Sequence, residues 1–511
     1  MKKINIGILS LFLAGGLVMS SCGDSFLTAS STEQQEAGSA ATEGAILSNL
    51  ASTYQVLLFD SYANNNYNSI LLMSDLRSDD IFKGGGDAGD QNQLYKLSQF
   101  ASSSAETIDG LWSIYFTGLA RANNAIISCK NAVEVDDNKL VQYNAEAHFL
   151  RAYYVHLLWK FWGNIPFFEE PLATPPYMTK QLAANEIYEK IMADLEVACE
   201  DGALPMKMTG DNLGKASRAA ALMLKARVVL YQKDVNKYAE VTKDMADIIQ
   251  SGEFKLFKDF DAMWEDENEF CEESVFESNQ MPEGKSWASG WSGYGTNYPA
   301  FISPNDLKDP KGVFKGGWGF APVRPAAYEM YEKGDLRREG SINAWEEGSY
   351  VGRFQNTGYF MRKYAARVGY NKAPYDVDLN YSNNVRIFRY AEVLLNYAEL
   401  VKIQGQAEVG GVSAQKCLDD VRERAFGKAN SIPATPENIK LERRREFLGE
   451  GMRFWDLVRW GDAETVLTES LPEYNSERKF EDWMKYIPIP QGEMEKTKGT
   501  DYELVQNGQW K

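Results

Sequence analysis

The sequence predicts a mainly α-helical fold in which helical pairs of the tetratricopeptide-repeat type are interrupted by long, irregular loop insertions. Three observations support this fold class. Apolar residues recur three and four positions apart over many segments, as on one face of a helix. Alanines lie where paired helices would cross. A long stretch rich in Gly, Pro, Asn and aromatic residues has no helical period.

The N-terminus has the features of an export signal. A short basic start, Met1–Lys3, leads into the apolar run "INIGILSLFLAGGLVM" and then into "SSC", which ends at Cys22. This order is typical of a secretory signal, so residues 1–21 are predicted to be removed. A cysteine at the cleavage point resembles the lipobox of bacterial lipoproteins, in which the thiol is acylated. The alternative is ordinary cleavage near Ser21, which would leave a free thiol at Cys22.

Residues 22–44 are predicted to be a flexible tether, because "TASSTEQQEAGSAATEG" is polar and built from small side chains. Helical periodicity follows, and Gly or Pro marks many of its ends. The predicted helical segments are 45–59, 111–129, 145–162, 184–199, 217–232, 238–252, 386–405 and 413–426.

Two pairs of these segments resemble tetratricopeptide units. The pair 217–232 and 238–252 has a short connection and carries alanines at the expected crossing: Ala219, Ala220, Ala226, Ala239 and Ala246. The second pair is 386–405 with 413–426. We therefore expect a single domain over 45–511, with repeat helices mainly in 45–252 and 386–460.

Two insertions interrupt the helices. The larger covers 253–385, and the smaller is "FKGGGDAGDQNQLY" at 82–95. Loops of this length are usually functional. We therefore expect the larger one to face a ligand.

Composition excludes several classes of function. With a formal net charge of −18 the chain repels phosphate backbones, so nucleic acid is not an expected partner. The four cysteines after Cys22 form no C-x-x-C pair, and His148 and His156 form no H-E-x-x-H motif. Neither G-x-S-x-G nor a Walker loop occurs. We expect no catalysis, no metal and no cofactor.

The block "IKLERRREFLGEGMRFWDLVRWGD" at 439–462 alternates arginines with carboxylates. One interpretation is an anion-binding site. The other is a network of ion pairs that fixes the C-terminal region to the repeats, and the interleaved apolar residues favour this second interpretation.

The stretch "WASGWSGYGTNY" at 287–298 sets four aromatic rings in a segment too rich in glycine for a helix. Sugars stack their C–H faces on such rings and need amides or carboxylates at their edges. The residues alone leave two possibilities open: the rings bind a sugar, or they hold the loop onto the scaffold.

Several segments together resemble the SusD/RagB family of outer-membrane nutrient-uptake lipoproteins. They are, in the family's order, "CGDSFL", "AEAHFLRAYYVHLLWKFWGNIPFF", "RYAEVLLNYAE", "LDDVRERA", "ERRREFLGEGMRFWDLVRWGD" and "YIPIPQGEM…LVQNGQW". The resemblance runs from Cys22 to near Trp510. It implies a SusD-like fold, no catalysis, and a lipid anchor in the outer membrane through acylated Cys22, with the protein exposed at the cell surface.

The resemblance also implies that the protein binds a glycan beside a SusC-like TonB-dependent transporter. Ligand residues of the family lie on variable loops, so the candidate residues rest on composition. They are Trp287, Trp291, Tyr294 and Tyr298 as stacking surfaces, Asn297 as a hydroxyl partner, and Asp79, Asn92 and Tyr95 from the early loop. The alternative function is a peptide- or protein-binding adaptor of a similar uptake complex.

Overall fold

The computed structural model describes residues 40–59, 61–63, 66–172, 174–288 and 293–510, which fall within one compact unit spanning 39–511. The predicted signal, Cys22 and most of the predicted tether lie outside the described residues.

Helices dominate the described residues. The long ones are α1 (Glu43–Gln55), α4 (Gly110–Lys130), α5 (Asp137–Trp162), α6 (Ala184–Ala198), α7 (Arg218–Gln232), α8 (Tyr238–Ser251), α12 (Tyr390–Lys402), α13 (Ala414–Phe426) and α14 (Pro436–Phe447). The short ones are α2 (Ile70–Asp75), α3 (Asn92–Ser98), α9 (Tyr298–Ile302), α10 (Pro325–Glu329), α11 (Arg337–Ser341), α15 (Arg453–Trp460), α16 (Ala463–Leu467) and α17 (Gln491–Thr497).

The strands are short and pair in twos, all antiparallel. They are β1 (Tyr62–Ala63) with β2 (Asn66–Tyr67), β3 (Ile165–Pro166) with β4 (Gln181–Leu182), β5 (Ser274–Ser278) with β8 (Val385–Arg389), β6 (Ile342–Ala344) with β7 (Tyr359–Met361), and β9 (Glu469–Leu471) with β10 (Ser476–Arg478). Of the described strands, only β5 and β8 reach five residues, and both are largely buried.

The long helices form a repeat array. Helices α1, α4, α5, α6, α7, α8, α12 and α13 contact one another in this order, as in a solenoid of helical pairs. Alanines bring α7 close to its neighbours: Ala219, Ala220 and Ala226 are fully buried, and so is Ala246 of α8. Ala239, predicted at the same crossing, is exposed instead. The mainly α-helical fold with helical pairs is therefore confirmed.

Two predicted boundaries were wrong. Helix α5 begins at Asp137 and not at residue 145, because the side chain of Asp136 caps the backbone N–H groups of Asn138 and Lys139, both at 3.1 Å. The segment predicted as a helix from residue 386 starts as strand β8, in which Arg386 pairs with Glu277 of β5. The helix follows only at Tyr390.

A buried ionic network confirms the interpretation of 439–462 as ion pairs. Glu446 of α14 accepts from Arg389 at 2.6 Å, Arg424 at 2.5 Å and Arg337 at 3.0 Å. Burial alone would raise the pKa of the Glu446 carboxyl, but these guanidinium groups outweigh burial and hold the pKa well below its usual range. Since Arg337 belongs to the insertion 253–385 and Arg389 is the last residue of β8, the network ties α14 both to the insertion and to the strand that precedes α12.

The four described cysteines, Cys129, Cys199, Cys271 and Cys417, form no disulfide. No helix among the described residues combines the length and the apolar character needed to cross a bilayer.

Candidate functional site

Backbone hydrogen bonds join the described residues on the two sides of the segment that carries the predicted aromatic residues. The N–H of Met281 donates to the carbonyl of Tyr294, and the N–H of Tyr294 donates to Glu283, both at 2.9 Å. Gly293 lies at the closure with φ +91°, and a Cβ there would lie 2.5 Å from the backbone nitrogen of Lys285. Only glycine fits at this crossing.

Buried polar side chains anchor the near side of this loop. The amide of Asn380 accepts from the N–H of Lys285 and donates to its carbonyl, both at 2.9 Å. The ammonium of Lys285 donates to the carbonyl of Leu58 at 2.8 Å, just beyond helix α1. Two residues after Lys285, the backbone N–H of Trp287 donates to the carboxylate of Asp376 at 3.1 Å. These contacts fix the backbone before and at Trp287 to residues 376 and 380 of the same insertion and, through Lys285, to Leu58.

Trp287, Trp318 and Tyr67 form a surface cluster of rings, which we call the aromatic platform. The rings of Trp287 and Trp318 are stacked, with centroids 5.8 Å and planes 26° apart. The ring of Tyr67 lies edge-on to that of Trp318, with centroids 5.4 Å apart. Phe301 of α9 packs against Trp318 with a centroid distance of 5.7 Å. Trp287 is 42% exposed, whereas Phe301 is buried. The platform therefore presents indole surface to solvent above a closed apolar base.

Backbone contacts hold Trp318 in place. The backbone N–H of Trp318 donates to the carbonyl of Ala300 at 2.8 Å, and the backbone N–H of Gly319 donates to the carbonyl of Ser303 at 2.8 Å. A Cβ at Gly317 would lie 2.1 Å from the carbonyl oxygen of Ala300, so this approach to α9 requires glycine. The backbone on both sides of the stack is thus hydrogen-bonded to neighbouring segments.

The structure separates the residues predicted on 287–298. Trp287 and Tyr294 are exposed, at 42% and 38%. Tyr298 and Asn297 are buried; the side-chain Oδ1 of Asn297 accepts from the Ser61 hydroxyl at 3.0 Å, and the Tyr298 ring packs on Tyr364 at 5.8 Å. Trp291 lies outside the described residues.

The structure buries the side chains of Asn297 and Tyr298 because they close the core beneath the loop. Their solvent access is too small for contact with a ligand at the surface as the loop stands. Trp287 and Tyr294 are the described members of the prediction that reach solvent.

The early-loop residues have structural partners. Asp79 binds Arg453 at 2.8 Å and Arg444 at 2.9 Å. Burial acts to raise the pKa of Asp79, but the two arginines outweigh it and lower the pKa to about 2. The amide of Asn92 donates to Glu106 at 2.9 Å.

Tyr95, in contrast, borders the platform region. Its hydroxyl donates to the carbonyl of Asn475 at 2.8 Å, and its ring lies edge-on to Phe354 at 5.8 Å. The neighbouring Arg353 donates to the carbonyl of Trp318 at 2.7 Å. Tyr95 therefore supports the side of the site that the 82–95 loop forms.

Sequence reasoning missed Trp318 and Tyr67. Trp318 stands in "GGWG", an aromatic residue between glycines as in the 287–298 stretch, and this shared pattern was a usable signal. Tyr67 carries no comparable signal, because its position depends on the short β1–β2 pair and on the packing of Phe301 at 5.3 Å.

The site offers surfaces for stacking and hydrogen bonding, and both histidines lie outside it in helix α5. His148 contacts Asp194 at 2.7 Å, and His156 is buried against the carbonyl of Tyr153. Burial holds the pKa of His156 well below its usual value. Within the described ranges neither histidine is hydrogen-bonded to a serine or cysteine, and no three His, Cys, Asp or Glu side chains gather where they could hold a metal ion.

Comparison with known families gives two matches along the chain. Residues 270–510 match the model described as the SusD family, and residues 25–230 match one described as "Starch-binding associating with outer membrane". SusD-like protein P2 of Formosa agariphila is 25% identical over 444 residues, which cover 80% of this chain and 83% of that protein.

Solved structures agree with these matches. Surface glycan-binding protein A from Bacteroides fluxus is 69% identical with a TM-score of 0.90, and the match covers 92% of this chain and all of that one. Surface glycan-binding protein A from Bacteroides thetaiotaomicron in complex with laminarihexaose is 35% identical with a TM-score of 0.85, covering 91% and 100% of the two chains. The chain described here, with its helical repeats and its aromatic platform, belongs to the SusD family.

Proposed function

We propose that this protein is a cell-surface, lipid-anchored binding protein, and not an enzyme, that captures a glucan oligosaccharide on the aromatic platform. The observation that carries the proposal is the stacked pair Trp287–Trp318 at the surface, with Tyr67 at its edge. Indole faces offer apolar area to the C–H faces of a pyranose ring, and they do so without charge.

Preorganisation strengthens the proposal. A loop rich in glycine would lose conformational entropy on binding, which weakens affinity. Here Asn380 and Asp376 already fix the backbone around Trp287, and α9 fixes Trp318. Because these rings are already positioned before binding, less of the free energy of stacking is lost in ordering the loop, and the affinity is higher than for a flexible loop.

The ligand class follows from the relatives. The 35% identical protein from Bacteroides thetaiotaomicron is described in complex with laminarihexaose, and a 27% identical structure is described as a laminarin-binding SusD-like protein. We infer a laminarin-type glucan for this chain as well. The peptide-binding alternative has no comparable observation in its favour.

Delivery is the second part of the proposal. Family membership and the lipobox-like "SSC" support a protein anchored in the outer membrane by acylated Cys22, which passes its glycan to a SusC-like TonB-dependent transporter. The Cys22→Ser variant is expected to leave the membrane fraction, and the acylated chain is expected to copurify with a barrel protein. Membrane retention of Cys22→Ser would contradict the anchor.

Calorimetric titration tests the binding function. The chain from residue 22 onward, carrying Cys22→Ser for solubility, is titrated with laminarihexaose, cellohexaose and maltohexaose. These differ in linkage and not in sugar, so they separate glucan recognition from linkage recognition. Saturable heat with laminarihexaose is expected. No heat with any of the three would reject the glucan proposal and would direct the search to peptides.

A further inference from the structure

The glycine-rich loop at 82–95 packs directly beside the aromatic platform. The N–H of Gly85 donates to the carbonyl of Gly319 at 2.9 Å, and the N–H of Phe354 donates to the carbonyl of Gly85 at 3.0 Å. Gln355 accepts from the N–H of Gly84 at 3.2 Å. The loop is thus threaded between the segment that carries Trp318 and the segment that carries Arg353.

Arg353 occupies an unusual position for a half-buried cation. One of its nitrogens, Nη1, donates to the carbonyl of Trp318 at 2.7 Å. Across the described parts of the chain no carboxylate lies within ion-pair distance of its guanidinium, although half-buried arginines such as Arg362, Arg444 and Arg453 are paired. Its second nitrogen, Nη2, points to the outer edge of the glycine loop near Gly86.

An opening lies between Arg353 and the loop because residue 86 has no side chain. The point where a Cβ of Gly86 would lie is 3.2 Å from Arg353 Nη2 and 3.2 Å from Asp90 Oδ2. Gly86 itself is exposed. Asp90 is held in place, since its Oδ2 also accepts from the N–H of Gly86 at 2.7 Å. A fixed acceptor and a donor therefore flank one solvent-open gap.

We propose that Arg353 and Asp90 form a hydroxyl-binding subsite that reads the sugar next to the one stacked on the platform. This inference rests on the proposed function and adds the polar half of the site. A sugar hydroxyl both donates and accepts a hydrogen bond, so it matches a guanidinium donor on one side and a carboxylate acceptor on the other. The ligand addressed is a neutral pyranose with adjacent free hydroxyls.

The arrangement explains the glycine at position 86. Its φ lies outside the left-handed region, so the backbone itself does not require glycine there. Glycine is required there by the available space, because any Cβ would occupy the gap between Arg353 and Asp90. Gly86→Ala is therefore a steric probe that keeps the side chains of Arg353 and Asp90 and shifts them by no more than a few tenths of an ångström.

The test is titration of four variants with laminarihexaose, in the chain from residue 22 carrying Cys22→Ser. Gly86→Ala fills the gap, Arg353→Met removes the donor, Arg353→Lys keeps a cationic donor, and Asp90→Asn keeps an acceptor oxygen but removes the charge. The matched control is Gly492→Ala, where a Cβ meets open space and the backbone is ordinary.

We expect about tenfold or greater loss of affinity in Gly86→Ala and Arg353→Met, a smaller loss in Asp90→Asn and Arg353→Lys, and none in the control. Melting temperatures should stay within about 2 °C of the parent chain. Gly86→Ala keeps the hydrogen bond from Arg353 to the carbonyl of Trp318, so a comparable loss of affinity in this variant separates the subsite from a purely structural role of Arg353.

The outcomes distinguish the two proposals. If the parent chain binds laminarihexaose and Gly86→Ala, Arg353→Met and Asp90→Asn bind it equally well, the subsite is overturned while the platform stands. If the parent chain binds no glucan, the proposed function fails, and the subsite fails with it.

Discussion

The indole of Trp287 stacks on the indole of Trp318, although the two residues come from separate segments of the large insertion. The backbone N–H of each is hydrogen-bonded to a different segment of the insertion: that of Trp287 to the Asp376 carboxylate, and that of Trp318 to the carbonyl of Ala300. The pair is thus assembled by the fold before any ligand arrives.

Replacing Trp287 with alanine should weaken glycan binding with little loss of stability, because the ring is 42% exposed. If bases stacked on aromatic rings are a guide, one ring contributes about 1–3 kcal/mol, or roughly five- to 150-fold in affinity. Calorimetry and thermal melting measure the two effects. Tyr177→Ala removes a similarly exposed ring (37%) from the β3–β4 connection and should leave binding unchanged. A large fall in the melting temperature of Trp287→Ala with unchanged affinity would assign the ring to the core.

Gly293→Ala should weaken binding without altering any ring. The added Cβ would meet the backbone of Lys285 at 2.5 Å, which forces the loop closure open and moves Trp287. Gly202→Ala is the matched control: its φ of +84° imposes similar backbone strain, but nothing lies within 4 Å. Both variants should lose some stability, measured by urea unfolding. Equal affinities in the two variants would contradict a role of the closure in binding.

Asp456→Asn should remove a contribution to stability that depends on pH in a defined window. Burial acts to raise the pKa of Asp456, but Arg443 and Arg459 outweigh it and lower the pKa from 3.8 to about 2. A depressed carboxyl pKa stabilises the folded state above pH 4, by about 2 kcal/mol, and this contribution is lost as the pH falls toward 2.

The measurement is urea unfolding of both chains from pH 7 to pH 2. The difference in free energy between wild type and Asp456→Asn should be largest at neutral pH and should shrink between about pH 4 and pH 2. Asp201→Asn, which removes an exposed carboxylate, should show a small difference throughout. A difference for Asp456→Asn that does not change with pH would show that the charge is not the stabilising feature.

Glu446→Gln should destabilise the fold severely, by about 3–5 kcal/mol, because it leaves buried guanidinium groups of Arg389 and Arg424 short of a counter-charge. The substitution preserves side-chain size, so a cavity does not account for the loss. Glu169→Gln breaks a half-exposed pair with Lys190 and should cost less than about 1 kcal/mol. Similar unfolding free energies for the two variants would contradict the importance of the network.

The helices were largely predictable because their apolar period is local information. The start of α5 and the strand β8 were not: one depends on a cap at Asp136, and the other on pairing with β5, which lies far away in the sequence. The ion pairs of 439–462 were predictable as a type, since alternating charges among apolar residues need partners when buried.

The site was predictable only in part. The stretch 287–298 identified Trp287 and Tyr294, but the sequence gives no sign that Asn297 and Tyr298 turn inward to meet Ser61 and Tyr364. Trp318 and Tyr67 join the platform through tertiary packing around Phe301. Burial of one aromatic residue and exposure of its neighbour are decided by contacts between segments, which periodicity does not report.

The most direct test of the central claim is a crystal structure of the chain with laminarihexaose. We expect a glucose ring stacked on the aromatic platform, in contact with Trp287 or Trp318, with the oligosaccharide extending toward Arg353 and Asp90. An oligosaccharide ordered elsewhere on the surface, with both indoles free of sugar, would contradict the assignment of the platform as the binding site.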